Sequence, residues 1–206
     1  LYGMSMIYGA AGGLLIGDIA AAAAAGENQL LMAFGMTFAF VGVAFKFGSA
    51  PFHMWIPDVY QGAPTAVTAF LGRAPNVAAL ALFLRLLAEG LGDLHAQWQT
   101  MAMILAVASL VIGNLFALVQ TNLKRMLAYS TVSHIGFLFL GLIAGTDEGF
   151  AAALFYAISY GIMAAGAFGM IILLSRQGFE AEMIDDMRGL NDRHSGFALV
   201  MLLLMF

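Results

Sequence analysis

Apolar stretches of about twenty residues recur along this chain, separated by short polar connectors, and that pattern decides what it can fold into. In hydrocarbon every backbone N–H and C=O must be satisfied within the protein, which leaves helices and closed barrels. A barrel strand would alternate apolar and polar residues over roughly ten positions, and these stretches are longer and continuous. The expected fold is therefore all-α and polytopic, in a lipid bilayer. Only 10% of the residues are charged, against about 25% in a soluble domain, and mean hydropathy is +0.92. Cysteine is absent, which excludes disulfides, thiolate metal sites and thiol nucleophiles. A net charge of −4 without a basic tail gives nucleic acid no reason to bind.

About seven transmembrane helices are predicted within a single transmembrane domain, 1–206. Residues 1–17 form the first and 18–29 a loop. The second element, 30–60, is long and broken near Pro51. The third covers 65–87 with Pro75 inside it, the fourth 98–119, the fifth 126–143 and the sixth 150–174. Residues 175–195 form one long hydrophilic loop, and a seventh span begins at Gly196. The chain opens and stops in mid-pattern, so it is expected to be an internal piece of a longer protein.

Charge sorts these connectors. Alternating faces place 60–65, 120–125 and 175–195 together, carrying Lys124, Arg125, Arg176, Arg188 and Arg193. The opposite connectors, 18–29, 89–97 and 145–149, carry no Lys or Arg. By the positive-inside rule the face with Lys124 is cytoplasmic, including the 175–195 loop. The charges from Glu180 to Arg193 then read as solvated.

Lys46, Arg73 and Arg85 remain inside apolar runs. Lys46 lies about 24 Å along a helix from Leu30, where an ionisable group marks a functional site. Desolvation at that depth favours the neutral amine and so a lysine that exchanges its proton. Pro51 and Pro57 follow, with His53 and Asp58 between and beside them, and break the helix just past the lysine. A broken helix bearing a buried charge is a recurring device of ion and proton transporters. The bland alternative is a lysine that snorkels to the interface. No carboxylate of the chain matches its depth, so an acidic partner must come from elsewhere.

His134 falls about 18 Å beyond Asn122 on the fifth span, one turn after Ser130. Imidazole titrates near neutrality and exchanges protons through two nitrogens, so His134 joins Lys46 as a candidate relay, against the alternative of a structural histidine bonded between helices. Arg73 and Asn76 flank Pro75, which should free the Leu71 carbonyl to bind water or a side chain. Arginine sets a field without releasing a proton. Lys124 reads as a face anchor that could also stand at a proton entrance. Arg85 and Glu89 are interfacial.

Residues 45–71, F-K-F-G-S-A-P-F-H-M-W-I-P-D-V-Y-Q-G-A-P-T-A-V-T-A-F-L, resemble the motif of the antiporter-like subunits of respiratory complex I, the proton-pumping NADH:quinone oxidoreductase. P-D-V-Y-Q-G-A-P, the later N-L-F-A-L-V-Q-T-N-L-K-R-M-L-A-Y-S-T-V-S-H-I-G-F and the opening L-Y-G-M-S-M-I-Y-G are similar to subunit N, called subunit 2 in mitochondria. The resemblance implies about fourteen helices in two inverted five-helix repeats, with this chain running from about the sixth helix to the start of the twelfth. It makes Lys46 the lysine of the broken seventh helix and aligns Lys124, Arg125 and His134 with the tenth. The family's acidic residue on the fifth helix and its lysine on the twelfth would lie outside the chain.

One position departs. The family usually has a second lysine where this chain has Asn76, in a run written R-A-P-N; either Arg73 one turn away supplies the positive charge, the favoured expectation, or the channel works with one titratable group fewer. The resemblance implies a proton-translocating subunit in a bacterial inner membrane or its organellar equivalent, without a redox cofactor of its own. FMN, iron–sulfur clusters and quinone would belong to other subunits, and the partners would be the other membrane subunits of complex I. The alternatives are an Mrp-type sodium/proton antiporter subunit and a purely structural membrane subunit; P-D-V-Y-Q-G-A-P favours complex I.

Overall fold

The computed structural model describes residues 1–26, 28–175 and 180–205. Among these no strand is present beyond one isolated bridge, Asn122 to Met183. Helix α1 (Tyr2–Ala11) meets α2 (Ile16–Ala25) at a 65° bend. The expected loop from Asp18 is therefore helical. The alanines at 20–25 are strong helix formers, and Asp18 sits in the first turn of α2, where the helix dipole favours a carboxylate. The connection shrinks to 26–28, of which Glu27 lies outside the described residues.

Helix α3 (Gln29–Phe47) stops two residues after the one preceding Lys46, and the stop belongs to Gly48 rather than to a proline. Gly48 takes φ 76°, its N–H donates to the Phe45 carbonyl at 3.0 Å, and the Ser49 N–H donates to Ala44 at 3.1 Å. That pair of bonds is the Schellman termination, which needs a left-handed residue. Pro51 lies within the link at 48–54, held against the bundle by an Ala50 N–H to Ser109 Oγ bond of 2.9 Å. Pro57 occupies the third position of α4 (Trp55–Gly62), where its missing N–H leaves no helical bond unmade.

The next span is broken too. Helix α5 (Thr65–Leu71) gives way at Gly72 and Arg73 to α6 (Ala74–Phe83), with Pro75 in its first turn, and a π-helical stretch, Leu84–Gly90, completes a 26-residue span. At this break the Gly72 carbonyl accepts side-chain donors, from Arg73 Nη1 at 2.8 Å and from Asn76 Nδ2 at 3.3 Å.

Three unbroken helices follow, α7 (His95–Leu118), α8 (Leu123–Ile143) and α9 (Asp147–Leu174). Asn122 caps α8 by accepting from the Arg125 N–H at 3.0 Å, and Thr146 caps α9 through Gly149 at 3.1 Å. Helices α7 and α8 pack so closely that a Cβ on Gly113 would stand 2.5 Å from the Ser133 nitrogen. After the short α10 (Leu190–Arg193), α11 (Ser195–Met205) has only eleven residues. Among the described residues five helices are long and apolar enough to cross a membrane, six if α1 and α2 count as one span. The seventh expected span is thus represented only by α11.

The core lies where α3, α6, α7 and α8 meet. Phe40, Phe47, Phe83, Trp98 and Phe139 are all within 1% of complete burial, and Phe83 meets Trp98 edge-on at 5.4 Å. Large apolar residues such as Phe34, Phe116 and Phe155 point outward, as lipid-facing helices require.

Candidate functional site

The side chains singled out from the sequence fall into three places. The first is a cavity of about 20 Å³, room for roughly one water molecule, lined by Phe47, Gly72, Arg73, Asn76, His134 and Tyr156, among others. Both broken spans and both of the intact helices α8 and α9 contribute to it. Half-buried His134 meets Tyr156 through a 2.6 Å contact between Nδ1 and Oη. Its ring stacks on Tyr160 at 3.8 Å between centroids. Tyr160 Oη in turn lies 3.1 Å from Oγ1 of the fully buried Thr131.

Arg73 joins this cluster from the α5–α6 hinge. Its guanidinium stands 4.6 Å from the Tyr160 ring centre, a cation–π contact. Nη1 satisfies Gly72, while Nε and Nη2 are buried with no acceptor among the described residues. Buried donors of this kind call for an acceptor, water included.

Sequence reasoning found His134, Arg73 and Asn76 but missed Tyr156, Tyr160 and Thr131. Two tyrosines four residues apart share one face of a helix. In an otherwise apolar span that spacing was a legible signal. Ser130, the expected neighbour of His134, makes no side-chain hydrogen bond among the described residues; Thr131 holds that place instead. Ser133 turns toward α7, accepting from Asn114 at 2.9 Å.

The second place is the outer surface beside the first break. Lys46 is in the last turn of α3 and exposed, with no ion pair or hydrogen bond among the described residues. The carbonyl end of a helix favours a cation there. No contact joins it to His134: its neighbour Phe47 faces the cavity, and the next residue along a helix points about 100° away. His53, in the link, has a buried Nδ1 that meets no geometric hydrogen-bond partner among the described residues, and its ring lies 6.2 Å from the Tyr129 ring.

The third place is one end of the bundle, where the three charge-bearing connectors converge. Lys124, 2% exposed, donates to the Ala63 carbonyl at 3.1 Å and pairs with Glu180 at 3.0 Å and Glu182 at 3.1 Å. Thr65 Oγ1 also donates to Glu180, at 3.0 Å. These two donors, Lys124 first, hold the Glu180 carboxyl below its ordinary range. Arg125 Nη1 lies 2.6 Å from Asp58 and 3.1 Å from Gln61. The expectation of merely solvated loop charges is thus wrong for Glu180 and Glu182. A lysine buried this deeply must be paired, and only the loop brings carboxylates to it. Arg85 and Glu89 form an exposed pair at 3.4 Å, and Arg176 lies outside the described residues.

Residues 1–206 match the family model described as NADH:quinone oxidoreductase/Mrp antiporter, TM. The chain belongs to that family. NADH-quinone oxidoreductase subunit N of Alkalilimnicola ehrlichii is 66% identical over 207 residues, covering 100% of this chain and 42% of the relative. Among solved structures, a chain of the archaeal membrane-bound sulfane sulfur reductase superposes with a TM-score of 0.83 at 28% identity, over 98% of this chain and 41% of that one. A chain of respiratory complex I from Thermus thermophilus with bound aureothin gives 0.77 at 33% identity, over 98% and 43%. The chain therefore spans less than half the length of the relatives it matches. As a member of this antiporter-like family it is a multi-pass, all-α membrane protein. No cluster of three or more His, Asp or Glu residues able to hold a metal occurs among the described residues.

Proposed function

We propose that this chain is part of a proton-translocating membrane subunit of NADH:quinone oxidoreductase. The observation that carries the reading is the meeting of a titratable imidazole, a guanidinium with two donors lacking an acceptor among the described residues, and a water-sized cavity where two broken spans face two intact helices. A hinge in each of two adjacent spans gives the site elements that can move, and His134 gives it a group that takes up and releases a proton. Arg73 supplies fixed positive charge in place of the lysine expected at Asn76. Identity of 66% to a subunit N favours this assignment over an Mrp-type antiporter subunit.

In this reading Lys46 exchanges a proton with a carboxylate from the part of the subunit beyond these residues, and a hydrated polar axis links it to the His134 cavity. Quinone reduction in other subunits changes the field along that axis, and the redox groups stay there. The end of the bundle carrying Lys124 faces the cytoplasm, with the 175–195 loop and its clasp at the proton entrance, His53 and Asp58 flanking the route. The other membrane subunits of the complex are its partners.

The test is Lys46→Met beside Arg73→Ala in the intact complex, with NADH-driven quinone reduction and proton uptake recorded in the same vesicles. Each variant is expected to assemble and to lose most of its pumping. Normal turnover and pumping with Lys46→Met would remove the lysine from the path, and the same result with Arg73→Ala would remove its role as the charge source.

A further inference from the structure

The relay reading leaves open which nitrogen of His134 exchanges the proton, and the surroundings of the ring answer it. Tyr156 and Tyr160 are four residues apart on α9 and so share one face, opposite His134 and Thr131, three apart on α8. This registers two cross-helix contacts side by side: Nδ1 to Tyr156 Oη at 2.6 Å and Thr131 Oγ1 to Tyr160 Oη at 3.1 Å. The Tyr160 ring lies against the imidazole plane at 3.8 Å. One contact fixes the ring's rotation about its own plane, and the other fixes the plane.

We infer that Tyr156 is a positioning residue for the proton step: its hydroxyl oxygen accepts from Nδ1–H of His134, which commits that nitrogen and leaves Nε2 as the exchanging one. The inference rests on His134 being a relay. In the neutral ring Nδ1 carries the hydrogen and Nε2 the lone pair. A proton arriving from water adds to Nε2 and gives the imidazolium, and the same proton leaves from Nε2, so the bond to Tyr156 survives both states. A bond from a charged donor is about twice as strong as a neutral one, so Tyr156 favours the protonated ring. The charged or titratable groups around His134 are Tyr156 and Tyr160 from α9 and Arg73 from the α5–α6 hinge, with Tyr60 of α4 reaching Gly72. From α3 the cavity receives Phe47, and α7 meets the adjacent Ser133 through Gly113 and Asn114.

The experiment compares Tyr156→Phe and His134→Gln in the full complex in proteoliposomes, measuring proton pumping per NADH oxidised from acid to alkaline pH. Tyr156→Phe keeps the ring and removes the acceptor. Loss of one such bond changes a protonation equilibrium by about fivefold. The expected result is a pumping profile displaced by about half a unit or more toward acid, with His134→Gln abolishing that limb of the profile. If His134→Gln impairs pumping while Tyr156→Phe leaves the profile in place, the positioning role is overturned and the relay stands. If His134→Gln pumps normally, the relay reading fails and the inference falls with it. Should Tyr156→Phe fail to assemble, fluorotyrosine at position 156 keeps the shape of the side chain and weakens its oxygen as an acceptor. A profile unmoved by that substitution overturns the inference equally.

Discussion

The ammonium of Lys124 lies 3.1 Å from the carbonyl of Ala63, sixty-one positions earlier in the chain. That contact joins the first turn of α8 to the turn between α4 and α5, and Glu180 and Glu182 close over it from the long loop. Three segments far apart in sequence thus depend on one side chain. Lys124→Met keeps the volume and removes every donor, leaving two carboxylates without their cation. The expected cost is about 1–3 kcal/mol, below the range for a fully buried pair because both carboxylates reach solvent. A lower unfolding temperature of the purified complex, with faster proteolysis of the loop, would bear this out. Unchanged values for both would show that the clasp contributes no stability.

The same clasp predicts a pH dependence. Glu180 is held below its ordinary range by Lys124 first and Thr65 second. A carboxyl depressed in the folded state contributes stability above its unfolded value, near 4.3, and loses it as pH falls through the lower folded value. Hydrogen exchange in residues 180–187 should therefore be flat from pH 7 to about 5, after correction for intrinsic rates, and rise in stronger acid. Thr65→Val removes one of the two donors and should move that rise to higher pH. An identical onset in the variant would contradict the account.

Gly48 carries the break in α3. Its φ of 76° is costly for any residue with a Cβ, and a Cβ there would overlap the Ile56 side chain. Gly48→Ala should destabilise the assembled complex by more than 1 kcal/mol, through backbone and overlap together. Gly42, whose added Cβ would meet nothing within 4 Å, is the matched control, and Gly42→Ala should be near neutral. Thermal unfolding of the two variants side by side decides it. Equal effects would mean that the left-handed termination is not what sets the break.

Much of this arrangement was legible in the chain. The gap after Lys46 and the segregation of Lys124, Arg125, Arg188 and Arg193 from the opposite connectors are local or periodic features, and the structure places those connectors together at one end. The errors were local competition wrongly judged. Pro51 and Pro57 are the stronger breakers in sequence, yet Gly48, in its left-handed conformation, ends the helix first. The alanines after Asp18, the best helix formers there are, extend a helix where the polar residues at 26–29 suggest a loop.

What the sequence by itself determined is therefore the class, the middle spans from α3 to α9 and which residues carry charge into apolar surroundings. Those follow from solvation: hydrocarbon admits few solutions for a backbone, and each ionisable side chain within it stands out. Which of those residues meet was decided only in three dimensions. Lys46 and Phe47 are neighbours in sequence, yet one faces outward and the other lines the His134 cavity, because a helix turns by about 100° at each residue. Tyr156 reaches His134, and Glu180 reaches Lys124, only through the packing of α9 and the return of the loop. No periodicity encodes such a pairing, since it depends on the rotation and register of one helix against another, set by contacts as tight as Gly113 against Ser133.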